Sequence, residues 1–242
     1  MASGAVQLGL LLPPSEGKAV GGDGAVWSAE LGRFAGLGSR RDVLVRRLAR
    51  VRGGNEKLLG VGGKHLAAAR LANSALTSSA SLPAWQRYTG VVWDAMDVAS
   101  LPTAARRRAM SSVVVVSGLM GLVALDDPTP QYRLKMGASL APYGKLSTWW
   151  RPTIGRALET WAAERFVVDL LANDQRAACS SAPMRGVSVS FVDRTGTVAG
   201  HDAKAAKGRL ARHLLTSDGP PIDALQSWVD PRFDLLITPI GD

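Results

Sequence analysis

The stretch "VVVVSGL", residues 113–119, sets four β-branched residues in unbroken succession ahead of a Ser-Gly pair. No polar residue alternates with the valines. A strand here therefore presents apolar side chains on both faces and belongs in a sheet covered by helices on either side. Working outward, further short apolar runs bounded by turn residues predict strands at Val6–Leu12, Phe166–Leu171, Val187–Val192 and Leu235–Thr238. Between them, apolar residues fall at helical spacing. One helix is predicted from Ser39, where Ser39 and Asp42 form a capping-box pattern ahead of Val43, Leu44, Leu48 and Val51. Others are predicted near residues 63–73, 83–97, 102–110, 152–165, 202–215 and 222–229. No fixed-period repeat or low-complexity linker divides the chain. The expected fold class is α/β: one compact domain over residues 1–242, a mixed sheet flanked by helices. A basic helical hairpin at about 39–80 is inserted after the first strand.

Composition narrows the function classes. A hydrophobic fraction of 46% and a charged fraction of 20% in 242 residues describe a globular chain able to bury its own core. Cys179 is the single cysteine, so neither an intramolecular disulfide nor a cysteine-based zinc site can form. The longest apolar runs fall far short of a membrane span, and "MASGAVQLGLLLPP" lacks the basic start of a secretory signal. A cytoplasmic monomer away from the membrane is expected. The 29 Lys plus Arg outweigh 20 Asp plus Glu, a net +9 that suggests a polyanionic partner. From Arg33 to Arg70, ten basic residues face only Asp42 and Glu56. A second acid-free run, "KAAKGRLAR", carries Lys204, Lys207, Arg209 and Arg212.

Inside the first basic segment lies "LLGVGGKHLAAARL", residues 58–71, a glycine-rich turn before an alanine-rich helix. In helix–hairpin–helix modules such a turn brings backbone N–H groups and a helix N-terminus against a DNA phosphate, and glycine permits the close approach. Gly60, Gly62 and Lys64 fit that logic. They fit equally a turn that only lets two helices pack closely. Neither "GGK" nor "SEGK" is a P-loop, since neither lysine is followed by Ser or Thr.

Candidates for chemistry are Glu16, Lys18, Asp94, Asp97, Asp127, Arg133, Asp169, Asp174 and Lys204. Asp169, at the end of an apolar strand, is placed to act as an acid/base or to orient a lysine. Alternatively Asp169 and Asp174 cap the next helix, and Glu16 pairs with Lys18 or Arg133. His65, His201 and His213 are too scattered for a metal site, and neither metal nor cofactor is expected. Trp149, Trp150, Trp161 and Trp228 either stack bases or fill the core.

Longer motifs carry a resemblance. "LLLPPSEGK" (10–18), "RYTGVVWDAMD" (87–97), "SGLMGLVALDDPTPQYRLKMG" (117–137), "FVVDLLANDQ" (166–175) and "AKAAKGRLARHL" (203–214) follow the order and spacing of the YaaA family of bacterial peroxide-stress proteins. "PPSEGK" resembles the subgroup from high-GC bacteria, and the chain reads as a divergent member. The resemblance implies a cytosolic protein that limits free iron, with a helix–hairpin–helix-like element and a basic cleft binding DNA without sequence preference. It establishes no cofactor or reaction.

By match to the family motifs, Lys18 stands for the lysine of the first motif, Arg133 for the arginine of Tyr-Arg-Leu, and Lys204 for the first lysine of Lys-x-x-Arg-Gly. Lys207 and Arg212 stand where the family has arginine. Departures fall at Val123-Ala124-Leu125, where an arginine is lost, at Lys135 in place of a glutamate, and at Leu171-Ala172-Asn173-Asp174-Gln175. The expected nucleic-acid surface comprises Arg46, Arg47, Arg50, Gly60, Gly62, Lys64, Lys204, Lys207 and Arg212. The alternative is an enzyme on a nucleoside, nucleotide or other anionic small molecule, with Lys18, Arg133 and Lys204 as an anion clamp and Asp169 or Asp174 as acid/base.

Overall fold

The structure, a computed structural model, describes residues 6–194 and 200–240. In chain order the elements are β1 (Gln7–Leu12), α1 (Gly38–Arg50), α2 (Glu56–Leu59), α3 (Gly63–Ser74), β2 (Leu82–Pro83), α4 (Ala84–Arg87), α5 (Val91–Met96) and α6 (Thr103–Ser112). They continue with β3 (Val113–Ser117), β4 (Gly121–Ala124), β5 (Pro128–Thr129), α7 (Leu146–Ala162), β6 (Arg165–Asp169) and α8 (Asn173–Cys179). The chain closes with β7 (Gly186–Asp193), α9 (His201–Thr216), α10 (Pro221–Ser227) and β8 (Phe233–Ile240).

The main sheet has the order β4-β3-β1-β6-β7-β8, and β2 pairs with β5 in a separate two-stranded sheet. β1 runs parallel to β3 and β6, and β6 parallel to β7, while β4 and β8 are antiparallel at the edges. This is the expected mixed α/β sheet. Every residue of β3 is buried, as its unbroken valines require. The connection from β1 reaches β3 in one direction, and that from β3 to β6 returns in the other. Right-handed crossovers then put α6 and α7 on opposite faces.

The chain leaving β1 heads toward β3, and the chain leaving β6 heads toward β7 on the other side. The two connections diverge between adjacent strands, so a crevice opens beyond the carboxyl ends of β1 and β6.

Local departures from the expected elements have tertiary causes. The helix expected at 83–97 is broken in two, because Tyr88 is extended and forms an antiparallel bridge with Lys18, and Gly90 takes φ 100°. The helix expected from residue 152 begins at Leu146. Lys145 accepts from the N–H groups of Thr148 and Trp149 and closes the first turn, so Pro152 lies inside the helix. No capping box forms at Ser39: a 3-10 turn at Ala35–Leu37 runs directly into α1, whose first turn has no side-chain cap. β4 has no counterpart among the predicted strands, while α8 is the helix expected to follow Asp169 and Asp174. The strand expected to reach Leu119 stops at Ser117, where the Gly118–Met120 turn starts β4.

Among the aromatics, Trp150 is fully buried, with its indole N–H donating to the Gly118 carbonyl at 3.0 Å, and Trp161 is nearly so. Both belong to the core rather than to a stacking surface. No described helix is long and apolar enough to cross a membrane.

Candidate functional site

A cavity of about 500 Å³ occupies the crevice beyond β1 and β6. Its walls come from the 13–18 loop after β1, the 89–93 turn, the 132–137 segment, the start of α8 and one face of α9. Pro13 and Pro14 have no N–H to continue the ladder, so the chain leaves the sheet there. The loop is then tied to the break between α4 and α5: Ser15 Oγ accepts from the Thr89 N–H at 3.1 Å, and the Ala19 N–H donates to the Arg87 carbonyl at 2.9 Å.

That tie places Lys18 against two tyrosines. Its Nζ donates to the Ser15 carbonyl at 2.8 Å and lies 4.2 Å from the Tyr132 ring centroid and 5.4 Å from that of Tyr88. Burial, and then the neighbouring Arg133 cation, push the Lys18 pKa down to about 7, against the opposing pull of Glu16. The two phenols meet at 2.9 Å, and Tyr132 also bonds Ser117 Oγ at 2.6 Å. Burial pushes the Tyr132 phenol up to about 12 and Tyr88 well above its ordinary value, so both are neutral hydrogen-bonding groups. Neither tyrosine is among the candidate residues read from the sequence, although Tyr132 stands inside the Tyr-Arg-Leu motif.

Across the cavity, Glu16 is shared by Arg133 at 2.6 Å and Lys135 at 2.7 Å. Burial acts to raise the Glu16 carboxyl, but the hydrogen bonds from Lys135 and Arg133 prevail and hold it below its ordinary value. Lys204 and Lys207, one turn apart on α9, line the same cavity. Lys207 donates to the Leu170 carbonyl, and burial pushes it down to about 8 despite the favourable charge of Asp169. Asp174 completes the wall and pairs with Lys145 at 2.9 Å. A Cβ at Gly137 would fall 2.1 Å from Asp174 Oδ2, so glycine is what admits that carboxylate.

The fold thus brings together Lys18, Arg133, Lys204 and Lys207, with Glu16 and Asp174 among them. Asp169 is elsewhere: it is buried outside the cavity lining, accepts from the Leu171 N–H at 2.7 Å, and is paired with Arg176 at 2.7 Å. Asp169 therefore does not face the anion site directly; it organises the β6–α8 turn, and its charge acts on the cavity-lining Lys207. Arg212 also lies outside. Its guanidinium donates to the carbonyls of Met96 at 3.0 Å, Asp97 at 2.8 Å and Ser100 at 3.4 Å, closing the end of α5. Asp127 is buried and accepts from the backbone N–H groups of Arg33 and Ala124. Asp94 accepts from the Gly90 N–H, and Asp97 from Ser100 Oγ.

The hairpin abuts the rim. Asn55 Oδ1 caps α2 by accepting from the Leu58 N–H at 2.9 Å, and Gly60 ends it in the left-handed region at φ 63°, ψ 33°. Gly62 then starts α3 with no side-chain cap. Arg133 Nε donates to the Leu59 carbonyl at 3.1 Å, and a Cβ on Gly60 would sit 3.3 Å from Lys135 Nζ. Asn73 on α3 holds the Arg133 backbone in both directions at 2.9 Å.

Gly60, Gly62 and Lys64 are exposed, as are Arg46 and Arg50 on one face of α1; Arg47 is half-buried. Among the described residues, Arg46, Arg50, Arg52, Lys57, Lys64 and Arg70 have no carboxylate at ion-pair distance. The basic segment is not uniformly a surface, however. Arg41 is fully buried and donates to the carbonyls of Met120, Ala29, Leu31 and Leu122. Arg40 donates to the Trp149 carbonyl and stacks on that ring.

Fold and site together define a class: an open mixed α/β-sheet protein with a cation-lined pocket at the carboxyl ends of its central strands and a basic hairpin at the rim. Comparison with known proteins makes this particular. The family model described as "Peroxide stress protein YaaA" matches residues 10–235. A UPF0246 protein of Streptomyces coelicolor is 36% identical over 220 residues, 88% of this chain and 84% of that protein. One from Corynebacterium glutamicum is 32% identical over 216 residues, covering 86% and 85%. The chain belongs to the YaaA (UPF0246) family of peroxide stress proteins.

Proposed function

We propose that this protein is a cytoplasmic monomer of the peroxide-stress response that binds DNA through its phosphate backbone, without sequence preference, and helps limit free iron. The family description supports the stress role; the iron role rests on the resemblance alone. The observation that carries the DNA reading is the hairpin: a left-handed Gly60 and an uncapped α3 start at Gly62, flanked by the exposed Lys57 and Lys64. A helix start without a side-chain cap suits an anionic oxygen. Arg46 and Arg50 extend the cationic surface, and Arg133 couples the hairpin to the pocket through Leu59.

Anisotropy titration of labelled duplex DNA at several salt concentrations tests this reading. Each phosphate neutralised should contribute about −0.9 to the slope of log K against log salt. The double variant Gly62→Val/Lys64→Glu should fold normally, because a Cβ at Gly62 meets only the flexible end of Glu56 at 3.0 Å. It should bind at least about tenfold more weakly, with a shallower slope. Salt-independent binding, or a folded variant that binds as the wild type does, overturns the reading.

The pocket favours a second reading, an enzyme or binding protein for an anionic small molecule. Lys18, Arg133, Lys204 and Lys207 converge on one half-open cavity with a carboxylate, Asp174, in its wall. Of the two candidate carboxylates, Asp174 lines the pocket and Asp169 does not, so Asp174 is the acid/base in this reading.

A further inference from the structure

Lys18 differs from the other pocket cations in its surroundings. Arg133 and Lys135 share Glu16, and among the described residues Lys18 has no carboxylate at ion-pair distance. Among the described residues, its hydrogen-bond partner is a single carbonyl, that of Ser15. Two tyrosine faces enclose the amine, and the cavity opens beside it with Arg133, Lys204 and Lys207 on the other walls. A clamp lysine needs only its charge. An enclosed amine with no carboxylate at ion-pair distance, beside other cations, has the surroundings of a nucleophile.

We propose that Lys18 forms an imine with an aldehyde that carries a phosphate, the phosphate seated by Arg133, Lys204 and Lys207. The lone pair of Nζ attacks the carbonyl carbon, the C–N bond forms, and the C=O π pair moves to oxygen. The carbinolamine then loses water, made from the carbonyl oxygen and the two amine protons, leaving C=N. Nothing is oxidised or reduced, and no co-reactant is needed. Burial supports the step, because Lys18, held near 7, is half-neutral at neutral pH, where an ordinary lysine is almost wholly charged. This inference rests on the reading of the pocket as an anion site.

The test uses the intact protein with pyridoxal 5′-phosphate at stoichiometric concentration, borohydride to reduce the imine, and peptide mapping by mass spectrometry. Lys18 should be labelled about a hundredfold faster than the exposed Lys57 and Lys64 at neutral pH. Excess pyridoxine 5′-phosphate, which has the phosphate but no aldehyde, should suppress the label, and Lys18→Met and Lys18→Arg should each abolish it. Label spread evenly over Lys57, Lys64, Lys204 and Lys207, or unchanged in the Lys18 variants, overturns the proposal.

Calorimetry with pyridoxine 5′-phosphate separates the two levels of failure. If the phosphate binds and Lys18 stays unlabelled, the nucleophile is wrong and the pocket reading stands; if neither occurs, both fall. A parallel arm with duplex DNA bearing an abasic site, also an aldehyde flanked by phosphates, identifies the source. A borohydride-dependent crosslink at Lys18 places the aldehyde in DNA, and label from the free aldehyde alone places it in a small molecule.

Discussion

Replacing Lys18 by methionine should change stability in a manner that depends on pH. The ordinary lysine pKa near 10.5 falls to about 7 in the fold. This is the reverse of a lysine stabilised by a partner, so the sign is reversed too. Between those two values the unfolded chain binds more protons than the native one, and stability rises with pH across that window. Below about 7 both states are protonated and the Lys18 contribution is flat. For a fully enclosed amine the cost would be about 4 kcal/mol at pH 7 and about 2 kcal/mol at pH 9.

The pocket opens to water, and screening reduces these figures by roughly half. Urea denaturation of wild type and Lys18→Met at pH 6, 7, 8 and 9 reads the difference directly, and Lys207 cancels because it is present in both proteins. The advantage of the methionine variant should be constant from pH 6 to 7 and shrink by about 1–2 kcal/mol from pH 7 to 9. Parallel stability curves across that range would refute the reasoning, because they would mean that Lys18 keeps an ordinary pKa in the fold.

Three further predictions follow from buried contacts. Arg41→Met strips a donor from four carbonyls held at 2.9–3.0 Å; relief of burying the cation offsets part of the cost, leaving a loss of about 3–5 kcal/mol in urea. A loss below about 1 kcal/mol would show that the methionine site relaxes or admits water. Tyr132→Phe removes the hydroxyl shared by Ser117 and Tyr88, so a fall of about 1–3 kcal/mol is expected, and an unchanged midpoint would contradict the network. Gly60→Ala forces a Cβ into the left-handed region at φ 63° beside Lys135; it should cost about 1 kcal/mol, measured by thermal melting, and a more stable variant would contradict the left-handed assignment.

The sequence by itself determined the layered sheet, because what dictates it is local: an unbroken valine run can be satisfied only between two helical layers. It also revealed the excess of positive charge, the hairpin glycines and, through spaced motifs, the family and the cations Lys18, Arg133, Lys204 and Lys207. Only the tertiary structure decided which charges are available. Arg41 and Arg46 look alike on one helix, yet Arg41 is enclosed by the carbonyls of two distant segments and Arg46 faces water. Asp169 looked like a base until Arg176 and the Leu171 N–H were seen to occupy it.

The same holds for the break at Tyr88, which a helical pattern hides because its cause, the bridge to Lys18, lies 70 residues away in the chain. Helical and strand periodicities depend on near neighbours and can be read along the chain. Burial of a charge, and hence its pKa and its chemistry, depends on groups brought together only when the strands pair and the helices pack.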